Sequence, residues 1–196
     1  MSIFRGRASN PFTVQNTDPS MANYIFPDGT SLEALLLRLD SDRWNMELCG
    51  DHGAGKTTLL HTLKSVAIAR KWQVLHWRCC CHIRKLPFYW PLLLLLKPRV
   101  VFLDGAERLR LHQHHILTTM CRVLDIGLIT TTHHPVRHRF MYPVAAGEEQ
   151  FLALVRRCAR NDQLELRSAA VRFLHEANFN AREALHHLYL WYESRQ

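Results

Sequence analysis

Hydrophobic positions along this chain follow two rhythms, short apolar runs alternating with stretches at helical spacing, and after Pro143 only the helical rhythm continues. The run Trp44 to Cys49 reads as a strand, 56–70 as a helix, Gln73 to Trp77 as a strand and 89–96 as a short helical segment beginning near Pro91. Arg99 to Asp104 reads as a strand, 111–123 as a helix, Gly127 to Thr132 as a strand, and a short strand is expected near Arg139 to Tyr142. Such alternation predicts an α/β fold with a parallel sheet flanked by helices. Glu148 to Arg160, Glu165 to Asn178 and Ala181 to Glu193 are then three helical patterns without a strand between them, which predicts a small α-helical C-terminal unit.

Before the core, residues 1 to about 30 are rich in Pro, Asn, Thr, Asp and Gly and read as an irregular strap, with Pro27-Asp28-Gly29 as a turn signal. A helix over Ser31 to Leu39, capped by Thr30 or Ser31, follows. The expected organisation is an N-terminal strap and helix over 1–41, a core over 42–145 and a helical unit over 146–196.

The stretch Gly50-Asp51-His52-Gly53-Ala54-Gly55-Lys56-Thr57-Thr58 fills the phosphate-loop pattern G-x-x-x-x-G-K-[ST] between a predicted strand and a predicted helix. Glycines let backbone N–H groups turn inward around a phosphate, and the following helix adds the positive end of its dipole. All nine residues are candidate nucleotide contacts, with Lys56 expected to reach the β- and γ-phosphates and Thr57 to hold Mg²⁺.

A second feature completes that chemistry. Val100 to Leu103 is a buried-strand pattern closed by Asp104, a carboxylate suited to share Mg²⁺ with Thr57, although an Asp before Gly105 also suits a plain turn. Glu107 is a candidate general base for an attacking water; the competing reading is a solvated glutamate in a first helical turn. Thr131, Thr132 and His133 end the next strand, where a polar side chain can meet a γ-phosphate, and Thr132 is grouped with the nucleotide contacts.

Composition narrows the setting. The chain has 196 residues, 47% hydrophobic and 21% charged, which is ordinary for a globular protein. Its net charge of +8 comes mostly from arginines dispersed along the sequence, so a solvated basic surface is expected rather than a nucleic-acid tail. Six cysteines, three of them contiguous at 79–81, suit a reducing cytoplasm better than a disulfide framework. No second metal-spaced pair accompanies Cys79-Cys80-Cys81-His82, so they read as the end of a buried strand rather than a zinc site. No signal-peptide pattern is seen at Met1 to Arg5, and Leu92 to Leu96 is too short to span a bilayer.

The order of these parts resembles the AAA+ and related phosphate-loop ATPases, over about residues 20 to 193. The resemblance implies a sensor strand between the magnesium strand and the phosphate-loop strand, and a helical lid after the core. It implies that Asp104 is the magnesium aspartate, that the polar strand end at 131–133 is the first sensor, and that Asn178-Phe179-Asn180-Ala181-Arg182-Glu183-Ala184-Leu185 carries the second, Arg182. An arginine finger offered to a neighbouring subunit would fall near Arg137 or Arg139. The family's catalytic glutamate directly follows its aspartate, whereas here that position is Gly105, which leaves Glu107 to act from a shifted place.

The expected function is ATP binding with Mg²⁺, as an ATPase or an ATP-gated switch acting on a protein partner, a second copy of the chain or DNA. A non-hydrolysing nucleotide-binding interaction module and a small-molecule kinase are the alternatives; residues 71–98 offer few polar groups for a kinase acceptor pocket. Adenine is preferred over guanine because the strand end at 130–134 carries no N-K-x-D motif.

Overall fold

The computed structural model describes residues 10–18, 24–80, 82, 84–134, 140–159 and 164–195. In chain order these form α1 (Val14–Thr17), α2 (Leu32–Ser41), β1 (Asn45–Cys49), α3 (Lys56–Ala69), β2 (Val74–Arg78), α4 (Trp90–Leu95) and β3 (Val100–Asp104). A 3-10 turn at Ala106–Arg108 leads to α5 (Leu111–Val123), β4 (Gly127–Thr132), β5 (Met141–Pro143), α6 (Glu148–Ala159), α7 (Leu164–Glu176) and α8 (Ala181–Glu193). The single turn α1 within the strap was not legible in the sequence, and the helical turn weighed at Glu107 is a 3-10 turn.

The five strands pair in parallel in the order β2-β3-β4-β1-β5. This puts β4 between the strand that ends in Asp104 and the strand that feeds the phosphate loop, the arrangement that the resemblance implied. Every residue of β3 and β4 is buried, because helices cover both faces of the sheet. On one face Met46, Leu48, Phe102 and Ile129 pack under Leu35 and Leu39 of α2 and Leu59 and Leu63 of α3. On the other, Val101, Leu103 and Leu128 pack under Leu94 of α4 and Leu117 of α5.

Helix ends obey local chemistry. Ser31 caps α2 by accepting the N–H of Ala34 at 3.2 Å, and Asn180 caps α8 by accepting that of Glu183 at 3.4 Å. Helices α6 to α8 build a third apolar cluster of their own around Phe151, Leu174, Ala184 and Leu188. Phe12, from the stretch read as strap, is buried in that cluster edge-on to Tyr192. Neighbouring Asn10 ties the same stretch to α8, donating to Tyr189 O at 3.0 Å and Glu193 Oε1 at 2.9 Å. Among the described residues no helix is long and apolar enough to cross a membrane.

His76 on β2 is a point of strain in this fold. Lys64 Nζ lies 3.4 Å from its Nδ1, and because an ammonium only donates, the ring proton sits on Nε2, a buried atom with no hydrogen-bond partner among the described residues. Burial first, and then the charges of Lys64 and His61, push its pKa down to about 4. The unfolded chain therefore binds a proton that the folded chain refuses as pH falls from 6.5 towards 4, and stability is lost across that window. After discounting for partial solvent screening, His76→Phe is expected to keep about 1 kcal/mol of the stability that the wild type loses between pH 7 and pH 5. Urea unfolding at the two pH values checks this; parallel losses in both proteins would refute it.

Candidate functional site

The C-terminal ends of β1, β3 and β4 open into a cleft of ≈ 1070 Å³ lined by the phosphate loop, the 3-10 turn, α8 and the N-terminal stretch. Lys56, the first residue of α3, is 9% exposed at its floor. Its ammonium donates to Gly50 O at 2.6 Å and Asp51 O at 2.8 Å, and it lies 3.2 Å from His133 Nδ1. Burial holds its pKa below the ordinary lysine value, opposed by the charges of Glu107 and neighbouring groups. His52 to Thr58 face the cleft, whereas Gly50 and Asp51 form the loop's approach and contribute their carbonyls to Lys56.

Asp104 is held from several sides. Thr57 Oγ1 lies 3.2 and 3.3 Å from its two carboxylate oxygens, Thr131 Oγ1 donates to Oδ1 at 2.7 Å, and Arg78 Nε lies 3.5 Å from Oδ2. The Thr131 hydroxyl in turn accepts the N–H of Gly105 at 2.7 Å, which fixes the turn leaving β3. The hard oxygens of Thr57 and Asp104, converging beside the phosphate loop, suit Mg²⁺, which takes one or two carboxylates and completes its shell with phosphate and water.

Strand alternation corrects one residue of the expected site. Thr132 is 1% exposed, and its hydroxyl donates to Glu47 Oε1 at 2.6 Å within the core, away from the cleft. Side chains one apart in a strand point to opposite faces, so Thr131 and His133 reach the cleft and Thr132 does not.

Glu107 is brought into the cleft by the 3-10 turn, with Oε1 3.6 Å from His133 Nε2 and 3.6 Å from Arg108 Nε. His133 Nδ1 lies 3.2 Å from both Lys56 Nζ, which can only donate, and Gly50 O, which can only accept, while its Nε2 faces Glu107. Burial, and then the Lys56 charge, hold the His133 pKa below its ordinary value. His52 stacks on His133 with ring centroids 3.8 Å apart, a pairing that neither motif nor spacing announced. The position after Asp104 has no room for an acid. Gly105 has φ +78°, and a Cβ there would lie 2.7 Å from the carbonyl oxygen of Cys79.

Arg182, in the first turn of α8, faces the same cleft and makes no ion pair among the described residues. Gly53 brings helix and loop together: a Cβ on it would meet Asn180 Oδ1 at 2.0 Å, so only glycine lets the loop touch the cap of α8. The N-terminal stretch adds wall residues that were not expected in the site, Phe12, Val14, Tyr24 and Ile25. Tyr24 is moored by its N–H, which donates to Thr62 Oγ1 at 3.0 Å. The apolar group Tyr24-Ile25-Phe26 inside a polar strap was the one sequence signal for them. Arg137 and Arg139 lie outside the described residues. Burial pushes the Cys79 thiol up to about 11, and the described residues hold no cluster of three metal-ligating side chains.

Solved structures with a similar fold include DNA replication initiators. DnaA from Aquifex aeolicus bound to AMPPCP is 16% identical, with 88% of this chain and 62% of that one covered at a TM-score of 0.57. The fold is that of the AAA+ P-loop ATPases. A replication initiator DnaA bound to AMPPCP and single-stranded DNA is 14% identical, covering 91% of this chain and 64% of that one at 0.59. A RuvB mutant from Thermotoga maritima is 19% identical, covering 79% and 58% at 0.54. This chain thus spans about three fifths of the length of the AAA+ structures it matches. No family model matches its sequence, and no curated protein does.

Proposed function

We propose that the protein is an AAA+-type ATP-binding switch with slow ATP hydrolysis, in which nucleotide draws helices α6 to α8 onto the core as a lid. The observation that carries this reading is the convergence of Lys56, the Thr57–Asp104 pair and Arg182 on one cleft. Lys56 exchanges the carbonyls of Gly50 and Asp51 for β- and γ-phosphate oxygens, and the N–H groups of residues 53–57 surround the phosphates. Thr57 and Asp104 would hold Mg²⁺, which would supply charge neutralisation at the phosphates. Thr131 keeps the Asp104 carboxylate in place through its 2.7 Å hydrogen bond.

Glu107 orients the attacking water and His133 keeps Glu107 directed into the cleft. Arg182 contributes a charge-assisted contact to the γ-phosphate, so that its loss on hydrolysis releases the lid. The readout is a protein partner, a second copy or DNA, in the cytoplasm. A reading in which nucleotide is bound but not turned over is favoured by Gly105, which leaves Glu107 to act from a shifted position with its carboxylate shared by Arg108 and His133.

Phosphate release by the wild type and by Glu107→Gln, with nucleotide binding measured on both, separates these. Release that falls about 100-fold in Glu107→Gln with binding retained is the expected outcome. Binding without release in either protein would establish the non-hydrolysing switch, and the absence of binding would overturn the proposal.

A further inference from the structure

Dispersed in sequence, the basic residues are not dispersed in space. From His52 to Leu103 the chain has no Asp or Glu, yet it carries Lys and Arg at positions 56, 64, 70, 71, 78, 84, 85, 97 and 99. This segment supplies β2, the strand at one edge of the sheet, and the loop from β2 to α4. Beyond β3 the chain returns to the same side with Arg108 and Arg110. Together His82, Arg84, Lys85, Arg108 and Arg110 line a second cleft of ≈ 600 Å³, in which Leu109 is the one apolar wall among the described residues. Among the described residues, Arg84, Lys85 and Arg110 pair with no acidic side chain, so their charge is uncompensated. Beside this cleft in the chain, Phe88 is 94% exposed and meets Tyr89 edge-on with centroids 5.4 Å apart.

We infer that this edge of the molecule binds single-stranded nucleic acid. Clustered Arg and Lys without acids track a phosphate backbone, and an exposed aromatic pair gives unpaired bases a surface to stack on. A duplex hides its base faces and leaves Phe88 unused. Among the described residues no carboxylate lines the cleft to read a ribose hydroxyl, and Gln113 beside it already accepts the N–H of Leu86 through Oε1 at 3.2 Å, so DNA and RNA strands are expected to bind alike. The exposed side chains of Leu92 and Leu95 on α4 and of Leu96 at its C-cap would suit an acidic, leucine-rich peptide, but the cleft itself is cationic rather than apolar. The inference names a partner for the proposed switch and does not depend on nucleotide binding. Arg108 lines both clefts and pairs with Glu107, which places the strand one residue from the proposed water-orienting group.

Fluorescence anisotropy with a labelled 20-nucleotide DNA strand, the RNA strand of the same sequence, the corresponding DNA duplex and an acidic leucine-rich peptide tests it, all without ATP. Single strands of DNA and RNA are expected to bind within about 3-fold of each other and at least about 10-fold tighter than the duplex. Four phosphate contacts predict a slope of log K against log salt of about −3, falling to about half in the double variant Arg84→Ala/Lys85→Ala. Phe88→Ala is expected to lose about 10-fold on single strands with its salt slope unchanged. Circular dichroism melting and ATP binding of the variants report whether the fold and the other cleft are intact. Tighter binding of duplex or peptide, or equal single-strand binding by wild type and variants, would overturn the inference. So would the absence of binding at low salt. If ATP is not bound but single strands are, the proposed switch fails and this surface stands.

Discussion

Lys56→Met is expected to weaken Mg²⁺-ATP binding by about 100-fold, or about 2.7 kcal/mol, while leaving the ligand-free protein as stable as the wild type or more stable. Both signs follow from where the ammonium sits. It donates to Gly50 O and Asp51 O and lies beside His133 Nδ1 within a floor that excludes most solvent, and burial already disfavours its charged form. A methionine keeps the stem and removes both that desolvation cost and the only cation at the centre of the loop. In the ligand-free protein the two effects nearly cancel, because the loop carbonyls lose a donor while the core loses a buried charge. With phosphates present nothing cancels. Titration calorimetry with the nucleotide and urea unfolding without it would measure the two quantities. A variant that lost stability and affinity together would point to a collapsed loop rather than a missing phosphate contact.

The parts of this site that were legible in the sequence are those whose residues are local. The phosphate loop and the helix behind it lie within one stretch, and Asp104 closes a short apolar run that reads as a buried strand. The parallel sheet followed from strands separated by helices, each too far from the next for a hairpin. What escaped depends on which way a face points or on residues far apart. Alternation says that Thr131 and His133 share a side and Thr132 has the other, but not which side holds the cleft; the register Cys49↔Thr132 and the buried Glu47 decide that.

Distance along the chain hid the rest. Phe12 is buried by helices that begin at residue 148, and no local pattern near residue 12 announces them. The basic cleft joins Arg84 and Lys85 to Arg108 and Arg110 across β3, so a charge reading along the sequence saw dispersion where the fold produces a cluster.

Gly105→Glu, which would restore an acid directly after Asp104, is expected to lower the unfolding free energy by about 3 kcal/mol and to give no gain in phosphate release. The glycine has φ +78° and ψ 45°, a left-handed conformation that costs an ordinary L-residue about 1 to 2 kcal/mol. Its missing Cβ would stand 2.7 Å from the carbonyl oxygen of Cys79, a backbone atom fixed by the pairing of β2 with β3 and by the Cys79 N–H donated to Asp104 O at 2.8 Å. Any side chain at 105 must therefore push β2 away from β3 or rotate the turn. Rotation breaks the hydrogen bond from Gly105 N to Thr131 Oγ1 and with it the support of the Asp104 carboxylate. Gly105→Asn separates the two costs, since asparagine tolerates a left-handed backbone but brings the same Cβ. If the contact with Cys79 dominates, Gly105→Asn and Gly105→Ala lose stability within about 1 kcal/mol of each other; if backbone strain dominates, Gly105→Asn recovers nearly all of it. Urea unfolding of the three variants distinguishes these. A Gly105→Glu protein as stable as the wild type, with faster phosphate release, would show that the turn can admit an acid after all and that Glu107 has no special claim to the water.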